Sequence, residues 1–126
     1  MELLGFGSIV IRPKRPFVDW ANQIARQNKN AVAEITEEEA RRRGTVYLIP
    51  EPTTAAEAME YAKRHWEKIF DHELEGQWDD EGDLWPRHRT WEMFLEWFDV
   101  EVHREIVDLT GNTYPTFFGN ESPMRA

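Results

Sequence analysis

Residues 3–12, LLGFGSIVIR, are the most restrictive stretch of the chain. Ile9, Val10 and Ile11 are β-branched neighbours and Pro13 closes the run, which reads as a strand. Apolar residues fall on both parities, so this strand is expected to be covered on both faces. The remaining chain must supply those covers. At 126 residues it suits one domain, large enough to bury roughly two-thirds of its unfolded surface.

The covering elements can be read in order. Pro16 suits a first helical turn, and Phe17, Trp20, Ala21 and Ile24 follow at the spacing of one buried helical stripe. A polar break, QNKN at 27–30, precedes Thr36 and Glu39, which fit a capping box for a short helix over 37–43 that Gly44 can stop. TVYLIP at 45–50 is a second strand. Thr53 or Thr54 caps a long helix expected to reach about residue 75, with the stripe Ala55, Met59, Ala62, Trp66, Ile69, Phe70 and Leu74. After an acidic loop over 76–89, Thr90 caps a helix whose stripe is Trp91, Phe94, Leu95 and Phe98. FDVEVHREIVDL at 98–109 then alternates as a strand. The order β-α-α-β-α-α-β predicts a two-layer α+β domain over 1–110, with a small three-stranded mixed sheet packed by helices. The first two strands, joined by a helical crossover, are expected to be parallel if they are neighbours. Residues 111–126 read as a loop-like tail that can dock through Phe117 and Phe118.

Several chemistries have no standard signature here. With no cysteine there is no disulfide, thiolate nucleophile or Cys-ligated zinc. Phosphate-binding glycine loops, G-x-S-x-G and H-E-x-x-H are absent, and QWDDEGDLWPRH fails as an EF-hand because Gln77 and His88 stand where Asp and Glu are required. His65 and His72, seven apart, exceed the helical spacing of a metal pair. No metal site and no cofactor are expected. No apolar run approaches the length of about 20 residues that crosses a bilayer, and no secretory leader is evident, so a cytoplasmic protein without a membrane partner is expected.

Charge narrows the partners. Residues 1–46 carry eight Lys/Arg against six Asp/Glu, whereas 47–126 carry seven against eighteen. The acidic excess peaks in DHELEGQWDDEGD at 71–83, with seven carboxylates and no Lys or Arg. The basic clusters Arg12-Lys14-Arg15 and Arg41-Arg42-Arg43 are short, so nucleic-acid binding is disfavoured.

Two constellations stand out. Period-two alternation puts Asp99, Glu101, His103 and Glu105 on one face of the last strand, with neighbours about 6.5–7 Å apart. That ladder can orient an imidazole as a base or share a divalent ion, and it equally suits the wet face of a half-covered sheet. Arg104, among the apolar residues, marks a place where the strand bulges or leaves the core. The second constellation is Trp78 and Trp85 with Asp79, Asp80, Glu81 and Asp83. Trp20, Trp66 and Trp91 belong to helical stripes and Trp97 lies just off one, whereas Trp78 and Trp85 belong to none. They serve either as lids over the core or as contact residues for a basic protein surface.

The stretches IRPKRPFVDW (11–20), TVYLIPE (45–51) and LWPRHRTWEMFLEWFDVEVH (84–103) resemble a group of small, uncharacterised bacterial proteins of about this length. The resemblance implies a bacterial cytosolic protein and carries no activity, cofactor or site residue. The leading expectation is therefore a non-enzymatic interaction or regulatory module using the acidic, Trp-containing surface. The alternatives are a small metal-assisted or hydrolase-like enzyme using the Asp99, Glu101, His103 and Glu105 face, and an acidic nucleic-acid mimic.

Overall fold

The computed structural model describes residues 2–27, 34–75 and 84–111. The restrictive first stretch is split. Gly5 adopts φ +74°, a left-handed turn that costs a side-chain-free residue little, and separates β1 (Glu2–Leu3) from β2 (Phe6–Pro13). From Gly7 to Ile11 every residue of β2 is buried, so it is covered on both faces as its two-parity pattern predicts. It lies at the centre of a three-stranded sheet ordered β3-β2-β4, with β3 at Thr45–Pro50 and β4 at Phe98–His103.

Both pairings of β2 are antiparallel, which corrects the expected mixed sheet and parallel crossover. Two helices, α1 (Arg15–Gln27) and α2 (Glu37–Arg42), connect β2 to β3. One helical pass would deliver the chain back to the starting end and give a parallel strand; a second pass reverses it again. The Asn22 amide clamps the second pass by donating to the Ile35 carbonyl at 2.9 Å and accepting from its N–H at 3.0 Å. The expected capping box is present: Thr36 accepts from Glu39 N, and the Glu39 carboxylate accepts from Thr36 N. Gly44 is not a left-handed stop. It lies where a Cβ would come within 3.0 Å of the Ile11 carbonyl and Arg12 Cγ, so its role is close approach.

The long helix expected over 54–75 is two helices, α3 (Ala55–Arg64) and α4 (Trp66–Glu75), broken at His65 with φ −115° and ψ 13°. The break follows the size of the buried side chains. Ala58 and Ala62 let α3 lie close against β2 and β4, whereas Ile69, Phe70 and Leu74 on α4 pack with α5 (Trp91–Trp97). Thr54 and Thr90 cap α3 and α5 by accepting from Glu57 N and Met93 N. The chain leaving β3 crosses at Gly7, where a Cβ would stand 2.6 Å from both Pro52 Cδ and the His103 carbonyl; only glycine fits there.

Ile9, Ile11 and Ile49 on the inner sheet face meet a nucleus of Phe17, Phe70, Phe94 and Phe98. Phe98 is its hub, with ring centroids 5.1, 5.3 and 5.2 Å from Phe17, Phe70 and Phe94. Trp20, Trp66, Trp91 and Trp97 are half-buried around this nucleus, and Leu95, expected on the buried stripe of α5, is exposed. The alternating run at 98–109 does not continue as one strand. It stops at His103, and the chain turns before β5 (Val107–Asp108), which pairs antiparallel with β1. Arg104 marks that exit, its guanidinium donating to the Thr53 carbonyl at 3.0 Å.

Candidate functional site

The outer sheet face joins strongly charged and apolar rows. Register places Ser8 opposite His103, Val10 opposite Glu101 and Arg12 opposite Asp99, while Val10 also faces Val46 and Ser8 faces Leu48. Asp99, Glu101 and His103 therefore share one face as their spacing predicts. Glu105 does not join them, because β4 ends before it.

Each carboxylate of this row has partners. Glu101 accepts from Arg12 Nη1 at 3.1 Å through one oxygen and lies 2.6 Å from His103 Nε2 through the other. The His103 hydrogen bond, with help from the charge and hydrogen bond of Arg12, holds the Glu101 carboxyl below its ordinary range against the opposing effect of burial. Asp99 pairs with Arg41 Nη1 at 2.6 Å and with Lys14 Nζ at 3.8 Å. Arg42 pairs with Glu38 at 2.6 Å on the neighbouring helix. Arg12, Arg41, Arg42, Glu38, Glu101 and His103 line, with Val10, Gly44 and Val46, a shallow open basin of about 840 Å³. Among the described residues, no three His, Asp or Glu side chains gather as a metal site.

Of the second constellation, Trp78, Asp79, Asp80, Glu81 and Asp83 lie outside the described residues. Trp85 is half-buried against the core. The Arg89 guanidinium lies 5.6 Å from the Trp85 ring centroid and 5.0 Å from that of Phe70, and it pairs with Asp71 at 2.7 Å. Trp85 Nε1 and Arg89 Nη1 are buried and have no hydrogen-bond partner among the described residues.

On the inner face of β3 the structure assembles a cluster that sequence reasoning did not. The Tyr47 hydroxyl donates to Glu73 Oε2 at 2.5 Å and lies 2.9 Å from His72 Nδ1. Because the phenolic proton is directed at Glu73, the imidazole contact is satisfied when Nδ1–H donates to the phenol oxygen, giving a short donor chain from His72 through Tyr47 to Glu73. Burial, reinforced by the hydrogen bond and charge of Glu73, pushes the Tyr47 phenol well above its ordinary value of 10.0, so it remains a hydrogen-bond donor. The Glu73 side chain is only 9% exposed. Beside it lies a cavity of about 460 Å³ whose walls include Pro13, Phe17, Ile35, Ala40 and Arg43. His72 and Glu73 were visible at the end of a helix; Tyr47 was hidden within a strand apolar on both parities. The available signal was the pair of hydroxyl residues in TVYLIP, Thr45 and Tyr47, both at the parity of Ile49.

No family model, curated protein or solved structure matches the chain. Geometry and chemistry alone carry its functional reading. Among the described residues no helix is long and apolar enough to cross a membrane.

Proposed function

We propose that the protein is a non-enzymatic interaction module whose docking element is the free edge of β3, which receives an extended segment of a partner protein. The observation that carries this reading is the edge itself. Val46 and Leu48 are 60% and 50% exposed, the strand has no charged residue, and no described strand pairs its far side. Edge strands are normally guarded by charge, proline, a bulge or a cover; β3 has only Pro50 at its end, which leaves Thr45 to Ile49 as a template for strand addition. The acidic excess of residues 47–126 favours a segment flanked by Lys or Arg, which it would steer towards the protein. Trp78, Asp79, Asp80, Glu81 and Asp83 belong to that acidic stretch of sequence and suit the same basic segment. A cytoplasmic setting belongs to this reading and suits a cysteine-free chain.

The test is Leu48→Lys. A cation on the exposed row should abolish capture of a partner by the immobilised protein and leave its melting temperature nearly unchanged. Equal capture by both proteins would remove β3 from the interface.

A second reading, a small hydrolase-like or metal-assisted enzyme, is favoured by the 2.6 Å contact that orients His103 on Glu101. It predicts that a divalent ion raises the melting temperature of the wild type and not of His103→Ala. The absence of any such rise across Mg²⁺, Mn²⁺ and Zn²⁺ would count against its metal-assisted form.

A further inference from the structure

We infer that the cavity beside Tyr47 and Glu73 binds a small zwitterion, an α-amino acid with an apolar side chain. Three features lead there. Glu73 is a carboxylate nine-tenths buried, and only one of its oxygens is engaged, by the Tyr47 hydroxyl. Among the described residues Oε1 accepts no hydrogen bond, and the one charge contact of Glu73 is His72 Nδ1, 3.8 Å from Oε2. Oε1 is thus the acceptor left for a ligand, and an incoming ammonium would give it a charge-assisted hydrogen bond in a largely enclosed setting. The donor chain from His72 through Tyr47 holds Oε2, leaving Oε1 for the ligand.

The second feature is Arg43, which lines the same cavity. Its neighbours Arg41 and Arg42 pair with Asp99 and Glu38, whereas the Arg43 side chain has no ion pair among the described residues. Glu75 also lines the cavity, so a simple cation would satisfy the carboxylates and leave Arg43 unpaired, whereas a simple anion would pair with Arg43 and be repelled by Glu73 and Glu75. A molecule carrying an ammonium and a carboxylate satisfies both, the carboxylate accepting from the guanidinium fork. The third feature is the wall. Pro13, Phe17, Ile35 and Ala40 offer apolar surface, and about 460 Å³ falls in the size range of small-molecule sites. Charges of both signs lining one cavity with an apolar wall suit an amino acid such as leucine, methionine or phenylalanine.

Isothermal titration of the full chain with these three amino acids tests the site, with phenethylamine and 3-phenylpropionate as ligands lacking one charge. At least one amino acid should bind, and phenylalanine should bind about tenfold or more tightly than either truncated analogue. Glu73→Gln keeps an acceptor for Tyr47 and should weaken the amino acid by about tenfold to a hundredfold without affecting 3-phenylpropionate. Arg43→Gln, on an exposed side chain, should weaken the amino acid while leaving phenethylamine unchanged. No heat from any amino acid at millimolar concentration would overturn the inference, as would equal binding by wild type and both variants. Leu48→Lys should bind like wild type, so this site and the β3 edge can fail separately.

Discussion

The two edges of the sheet are built with opposite polarity. β4 follows the ordinary rule: Phe98, Val100 and Val102 face the core, and Asp99, Glu101 and His103 face outward. β3 is inverted over most of its length. Its outward residues are the exposed Val46 and Leu48, while its inward side carries Thr45 and Tyr47 before the buried Ile49. Both strands pair with the same central strand, so backbone geometry does not account for the contrast. β4 is an edge guarded by charge and supported by core packing. β3 presents apolar surface outward and hydrogen-bonding chemistry inward, and stability alone favours neither arrangement. Inversion therefore singles out β3 as the strand to interrogate.

The largest expected effect lies on the guarded edge. Phe98 is 1% exposed and touches three phenylalanine rings, so Phe98→Ala should cost about 3–5 kcal/mol in urea denaturation. A cost below about 1 kcal/mol would mean that β4 is not the structural edge and would erase the contrast.

Tyr47→Phe asks the matching question of the inward side of β3. It strips the Glu73 carboxylate of its hydrogen-bond donor and should cost about 1–3 kcal/mol at neutral pH. The variant also has a pH signature. The folded phenol titrates above its ordinary value of 10.0, so it stabilises the fold fully below pH 10.0. As pH rises further, the unfolded phenol ionises first and that stability is lost. Wild type should therefore weaken above pH 10.0, and Tyr47→Phe should lack the Tyr47 share of this decline. Ultraviolet titration of the three tyrosines should show one phenol resisting ionisation in the folded protein. Three ordinary titrations would remove the buried Tyr47–Glu73 contact from the comparison.

What could be read in the sequence follows the range of the interactions. The three threonine caps, the two-face burial of β2 and the shared face of Asp99, Glu101 and His103 each depend on residues within a few positions. All appear in the structure. The antiparallel pairing depends on how two helical passes stack, and the break at His65 depends on what the alanine and aromatic halves of one stripe meet. Neither is local. Tyr47 and Glu73 are 26 residues apart, and Arg12 and Glu101 are 89 apart. A run apolar on both parities, TVYLIP, could not reveal which parity faced inward, so its inversion was invisible until β2 fixed the register.

The smallest effect belongs to the charges guarding β4. Glu101 is exposed, and its carboxyl is held below the ordinary 4.5 by His103 and Arg12. A lowered carboxyl stabilises the fold above the unfolded value and ceases to do so as pH falls through the folded one. Glu101→Gln should thus lower the melting temperature slightly at pH 6, and the gap from wild type should close as the buffer approaches pH 3. Molar salt should shrink it too, because exposed ion pairs are screened. A gap that survived both acid and salt would show Glu101 acting through packing. The outward row of β4 would then be structural in the same sense as its inward row, and charge would no longer be what distinguishes this edge from β3.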